Sequence, residues 1–173
     1  MPNILLSSAL SVADTKVNAL NERRYHVLLV SSSGGVLLDL LALRPWWCKH
    51  ETSWVAVRAP DTETLLAGQR VHWAPEQSAS RPLGVLKAVG RGLRILGRER
   101  PDLIVSAGTG VAVGVFVAAR LRRIPAVWLE TFNIVDSPGI ASRLCGRLAA
   151  AVLVQRPSLV GVRPRAVLIG ELY

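Results

Sequence analysis

Short apolar runs alternate along this chain with segments whose apolar residues recur at helical spacing. Val27–Val30 is continuous and apolar, Ser31–Gly35 is a turn of small residues, and Val36, Leu37, Leu40 and Leu41 then follow a helical period. The change of period predicts a strand, a turn and a helix, and Arg44-Pro45-Trp46-Trp47 is expected to stop that helix at the proline. Further strands are expected at Trp54–Val57 and Arg70–Trp73, with a helix start at Asp61 between them.

Leu83–Glu99 predicts the clearest helix. At about 100° per residue, Leu86, Val89, Leu93 and Leu96 share one arc, and Lys87, Arg91, Arg94 and Arg98 share another, so the polar face is wholly basic. That face reads either as a solvated surface or as one resting on anionic headgroups. A second strand, small-residue turn and helix follows at Asp102–Val105, Ser106–Gly110 and Val111–Leu121. Later strands are expected at Ala126–Leu129, Ala150–Gln155 and Val167–Ile169, with a helix after Ser137-Pro138-Gly139. Such alternation predicts a doubly wound, mostly parallel Rossmann-like sheet with helices on both faces.

The chain has 173 residues, enough for one α/β domain and too few for two of ordinary size. Residues 1–24 read as a tail or loosely docked segment and 25–173 as the domain. No charged region precedes the apolar run Ile4–Leu10, so a signal peptide is not expected. The uncharged window Leu103–Ala119 approaches the length of a membrane span. Its interior Ser-Ala-Gly-Thr-Gly favours a buried strand, turn and helix over a single span near 103–121.

A net charge of +9 predicts a polyanionic or phosphorylated partner. Nucleic acid is not expected, because the arginines are dispersed and no zinc-finger, RNP-like or helix-turn-helix pattern is present. Cys48 and Cys145 form no Cys-x-x-Cys pair and His26, His50 and His72 lack zinc-binding spacing, so no metal is expected. Walker-type, G-x-G-x-x-G and G-x-S-x-G patterns are likewise missing.

In a doubly wound sheet, ligands bind beyond the carboxyl ends of the strands where the winding reverses. With the first strand beside the fourth, Ser32, Ser33, Gly34 and Gly35 face Ala107, Gly108, Thr109 and Gly110 across that crevice. Residues without bulk let backbone N–H groups at two helix N-termini approach one phosphate or diphosphate. Glu130 ends the neighbouring strand on the same rim, and Glu130 and Asp39 are the candidate general bases.

The order Ser32-Ser-Gly-Gly35, Leu40-Leu-Ala-Leu-Arg-Pro-Trp-Trp47, Arg98-Glu-Arg-Pro-Asp-Leu-Ile-Val-Ser-Ala-Gly108, Leu129-Glu-Thr-Phe132, Val154-Gln155 and Gly170-Glu-Leu172 resembles the PssD-type subunits of bacterial exopolysaccharide glycosyltransferases. These are similar to the membrane-associated subunit of the eukaryotic transferase that adds the second N-acetylglucosamine to dolichol diphosphate. The resemblance covers about residues 26–173 and implies the N-terminal, acceptor-side half of a GT-B glycosyltransferase. It implies a separate donor-binding subunit that holds the UDP-sugar, a polyprenyl-diphosphate-linked sugar acceptor, and peripheral attachment to the anionic cytoplasmic face of a membrane. It implies no cofactor for this chain. The family's Gly-Gly-His reads Gly34-Gly35-Val36 here, its Arg after the Glu reads Asn133, and its Trp after Val-Gln reads Arg156. Alternative readings are a Rossmann-like nucleotide or dinucleotide binder, and a scaffold that only anchors its partner.

Overall fold

The computed structural model describes residues 24–76, 82–108, 110–130, 139–163, 165–170 and 172. Seven strands form one sheet in the order β3-β2-β1-β4-β5-β6-β7, with every neighbouring pair parallel. They are β1 (His26–Ser31), β2 (Glu51–Val57), β3 (Val71–Ala74), β4 (Leu103–Ser106), β5 (Ala126–Leu129), β6 (Ala151–Val154) and β7 (Ala166–Leu168). The connections carry α1 (Gly35–Ala42), α2 (Arg44–Trp47), α3 (Pro60–Leu65), α4 (Pro82–Glu99), α5 (Gly110–Arg122) and α6 (Ile140–Leu148). The expected doubly wound architecture and the pairing of first and fourth strands are both present.

Alternation along the central strand builds two cores. Leu28 and Val30 join Val55, Ile104, Phe116, Trp128 and Leu96 beneath α4, α5 and α6. Val27 and Leu29 join Trp54, Val105, Leu129, Leu37, Leu40 and Trp47 on the opposite face, beneath α1 and α2. The uncharged window thus resolves into buried β4 and buried α5, and no helix among the described residues is long and apolar enough to cross a membrane.

Two local readings need correction. Pro45 does not end helical structure: α1 stops at Ala42, Leu43 turns the chain, and the proline sits in the first turn of α2, where its missing N–H is harmless. Trp47 is buried there and donates from Nε1 to the Leu40 carbonyl at 2.8 Å. Leu86 is not on the buried side of α4. It is 69% exposed, as Leu83 is 77% exposed, while Ala88, Gly92, Ile95 and Leu96 supply the packed side.

Gly92 of α4 and Gly114 of α5 follow from this packing. A Cβ on Gly92 would lie 3.1 Å from the Ala118 Cβ and 3.1 Å from the Gly114 carbonyl oxygen, and one on Gly114 would lie 2.7 Å from the Ala88 backbone carbon. Helix propensity is sacrificed so that the α4 and α5 backbones can approach closely. The expected tail, residues 1–24, lies outside the described residues except for Arg24.

At the opposite end of the strands, Glu99 gathers a network that the linear pattern does not announce. Its Oε1 lies 2.7 Å from His72 Nε2, its Oε2 lies 3.5 Å from His26 Nε2, and Arg70 Nη1 reaches Oε2 at 3.2 Å. Burial opposes ionisation of Glu99, but the hydrogen bonds from His72 and Arg70 outweigh it and hold the carboxyl below its ordinary value.

Candidate functional site

The register pairs Val30 with Ser106, so β1 and β4 end side by side and release their two small-residue turns onto the same rim. Ser106 joins them: its hydroxyl donates to the Val30 carbonyl at 2.8 Å and lies 2.9 Å from the Gly108 carbonyl oxygen. Gly108 has φ +151 and is buried, and a Cβ built on it would sit 3.3 Å from Val36 Cγ2. A side chain there would push on Val36, and at this φ glycine is favoured, so the second turn closes tightly against the start of α1. The structure therefore brings the two predicted turns together.

Within the first turn, Ser31 is buried and donates to the Ser32 carbonyl at 2.7 Å, and the Ser32 hydroxyl donates to the Ser33 carbonyl at 3.3 Å. Ser33, Gly34 and Gly35 are exposed. Gly34, at φ +71, caps α1 with backbone alone, and its carbonyl accepts from Leu37 and Leu38. No atom lies within 4 Å of a Cβ added at Gly35, so the space over this N-terminus is open. Ala107 is buried and Gly110 half-buried at the start of α5, while Thr109 lies outside the described residues.

An acidic group already meets this turn. The Gly34 N–H donates to Asp61 Oδ2 at 2.7 Å. The carboxylate comes from the first turn of α3. Thr62 fixes that turn, accepting from the Ala59 N–H at 2.9 Å and donating to the Val57 carbonyl at 2.7 Å. The affinity of the helix N-terminus for an anion is thus visible in the fold itself. In the sequence Asp61 registers only as a helix-start residue, and its reach across 27 positions has no local signature.

Glu130 is on the rim, as expected, with its side chain 1% exposed. Arg163 Nη2 donates to its Oε1 at 3.0 Å, the Ser142 hydroxyl lies 2.9 Å from Oε1 and 3.1 Å from Oε2, and Trp128 Nε1 reaches Oε2 at 3.2 Å. Its backbone carbonyl accepts from Gln155 Nε2 at 3.3 Å. This is a carboxylate held by donors on every side, which suits it to fixing α6 and the segment before β7 more than to accepting a substrate proton. Arg163 and Ser142 were not among the predicted site residues, since separations of 33 and 12 positions leave no pattern to read. The other candidate base, Asp39, is 6% exposed on α1.

On α4, Lys87, Arg94 and Arg98 are exposed and Arg91 is half-buried, lining a crevice with Pro75, Val55 and Ile95. At about 100° per residue, exposed Leu83 falls on the same stripe. Among the described residues no cluster of His, Cys, Asp and Glu could hold a metal ion. Burial pushes the Cys145 thiol up, which makes it inert packing.

No family model matches the chain. Its sequence is 38% identical over 108 residues to the UDP-N-acetylglucosamine--N-acetylmuramyl-(pentapeptide) pyrophosphoryl-undecaprenol N-acetylglucosamine transferase of Lachnoclostridium phytofermentans, covering 61% of this chain and 30% of that protein. It is 25% identical over 143 residues to the protein of the same name from Oceanobacillus iheyensis, covering 83% of this chain and 36% of that protein. Among solved structures, Acinetobacter baumannii MurG superimposes with a TM-score of 0.69 at 23% identity, over 83% of this chain and 45% of that one. The UDP-N-acetylglucosamine 2-epimerase of Rickettsia bellii gives 0.67 at 14% identity, over 87% and 46%. The chain thus spans about a third of the length of these sequence relatives, and its fold is that of one Rossmann-like half of a GT-B architecture.

Proposed function

We propose that this chain is the acceptor-side half of a two-component GT-B glycosyltransferase of the PssD type, acting in polysaccharide or lipid-linked oligosaccharide biosynthesis. It binds a polyprenyl-diphosphate-linked sugar and recruits a separate subunit that carries the UDP-sugar. The observation that carries this reading is the convergence of Ser31–Gly35 and Ser106–Gly108 on one rim, with Gly108 closed against Val36. The names of the sequence relatives support it, since they specify a UDP-sugar donor and a pyrophosphoryl-undecaprenol acceptor.

In this reading the acceptor's diphosphate lies over the N-termini of α1 and α5 and takes the Gly34 N–H from Asp61. The backbone donors are fixed before the ligand arrives, so they stabilise its charge without reorganising. The acceptor hydroxyl then attacks the anomeric carbon of the donor sugar as the bond to UDP breaks, UDP leaves, and the hydroxyl proton passes to water. The Glu130 network holds the rim in shape. The basic stripe Lys87, Arg91, Arg94 and Arg98, with Leu83 among them, rests on the cytoplasmic face of an anionic membrane and keeps the cleft beside its lipid substrate.

Reconstitution tests the proposal. The full chain, its donor-side partner, a UDP-sugar and a polyprenyl-diphosphate-linked sugar in anionic vesicles should give transfer that requires both polypeptides. Equal turnover without this chain would reject the assignment. A second reading, an anchoring scaffold without a part in acceptor binding, is favoured by one observation: the Glu130 carboxylate is fully engaged within the fold. It predicts that the chain binds its partner and vesicles but gives no response to polyprenyl diphosphate.

A further inference from the structure

At the start of β5 and β6, the end of the sheet away from the glycine turns, lies an open basin of about 280 Å³. Ile124, Pro125 and Leu148 give it an apolar floor, and Arg120, Arg123 and Arg165 stand around it, all three exposed. No acidic residue lines it, and among the described residues no carboxylate pairs with any of the three arginines. The helix ends beneath them do not consume these charges. The Ala119 carbonyl accepts from the Ile124 N–H at 3.0 Å and the Arg120 carbonyl from the Arg123 N–H at 3.4 Å, while the Arg147 carbonyl takes one nitrogen of Arg165 at 2.6 Å. Backbone geometry singles out the same place. Among the described residues three other than glycine have positive φ, Arg100, Arg123 and Arg165, and the last two, at +59 and +56, border the basin. Arg123 follows the end of α5, where glycine would sit without strain, yet a guanidinium is kept there.

We infer that this basin docks an acidic segment of another protein, which seats one apolar side chain on the floor and sets flanking carboxylates on the arginines. Its size falls short of the roughly 300–1,000 Å³ of sites that enclose a small molecule, so it fits a side chain presented by a larger partner. A guanidinium grips a carboxylate in two-point fashion, and arginine is enriched where interfaces concentrate their binding energy. The chain itself carries +9, which disfavours a second copy as the occupant. A recess is also a poor match for the plane of a bilayer. Because the basin and the glycine turns sit at opposite ends of the strands, a partner here leaves the proposed acceptor cleft free, and the inference does not depend on that reading.

Fluorescence anisotropy of the labelled peptide Asp-Glu-Leu-Glu-Asp with the full chain, at an ionic strength of about 0.15 M, tests the inference. Saturation below ~1 mM is expected. Arg120→Gln/Arg123→Gln should weaken binding by about tenfold or more, whereas Lys87→Gln/Arg94→Gln, the same loss of charge on α4, should change it by less than about twofold. Arg123→Gly separates recognition from folding: it should keep or raise the thermal unfolding midpoint and still weaken the peptide several-fold. Replacing the leucine of the peptide by serine should weaken binding about threefold or more. No saturation below ~1 mM, equal losses in the two double variants, full affinity in Arg123→Gly, or indifference to the leucine would overturn the inference. So would a silent peptide together with loss of anionic-vesicle binding in Arg120→Gln/Arg123→Gln, which would give the basin to a membrane instead.

Discussion

Gly108 closes against Val36: a methyl group on the glycine would stand 3.3 Å from the valine Cγ2, so the second turn and the first helix touch through the absence of a side chain. At φ +151 the same glycine also occupies backbone space that other residues rarely enter. Gly108→Val should therefore lower stability by about 1–3 kcal/mol, read by urea unfolding. Gly35 offers the complementary variant. Nothing lies within 4 Å of its missing Cβ, so Gly35→Val should preserve the fold and weaken polyprenyl diphosphate binding by about tenfold or more. Unchanged affinity would remove the turn from the ligand's path.

The Asp61 carboxylate occupies the donor that the proposal gives to a phosphate. Removing its charge should favour the ligand. Asp61→Asn is expected to tighten diphosphate binding several-fold at low salt, with the gain shrinking as ionic strength rises. A looser complex would mean that Asp61 shapes the turn more than it competes for it.

Glu130 and Arg163 form a buried pair whose single members cannot be removed cheaply. Glu130→Gln leaves a guanidinium 12% exposed without its counter-charge, and the expected loss is about 3–5 kcal/mol. Adding Arg163→Met should recover part of that loss. A general-base role gives the opposite pattern, with lost turnover at unchanged unfolding midpoint.

Acid should destabilise the protein in two stages. His50 is packed edge-on between Tyr25 and Trp46, and burial together with the Lys49 charge holds its pKa below 6.5. The unfolded ring therefore takes up its proton first, so stability is complete above pH 6.5 and falls as pH drops toward the folded value. Glu99 is held below 4.5, so its contribution is present above that pH and is lost on further acidification. Thermal unfolding followed from about pH 8 to about pH 3 should show both stages, and His50→Phe should flatten the first.

Gly114→Val places atoms against the Ala88 backbone, 2.7 Å from a carbon that cannot rotate away. The expected loss is about 1–3 kcal/mol. Gly90→Ala, on the exposed side of α4, has open space around it and should stabilise slightly. The contrast, measured by thermal unfolding, checks that the close approach of α4 and α5 accounts for Gly114 and Gly92 and not for Gly90.

Strand order was readable because a parallel sheet buried on both faces leaves continuous apolar runs such as Val27–Val30, and because the small-residue turns mark where each strand gives way to a helix. The meeting of the two turns follows from that order. Asp61 at Gly34, Arg163 at Glu130, and His26 with His72 at Glu99 are different in kind. Each joins side chains from distant positions, and each depends on rotamers and close distances that no period encodes. Leu86 shows the limit within one helix. Gly92 and Ala88 move the packed side of α4 around the axis, and a leucine assigned to the core by hydropathy stands in solvent instead.

The seam at Gly92 and Gly114 also makes α4 and α5 a single mechanical part. One end of that part begins at the second glycine turn, and its outer side is the arginine stripe. In the proposed assembly, seating the stripe on a bilayer would lay both helices along the membrane plane and fix the altitude of the cleft at a constant offset set by helix-on-helix packing, on the order of 10 Å. The chain would then work as a rigid gauge: lipid carriers whose sugar protrudes to that height would be presented to the donor, and those of another reach would be passed over.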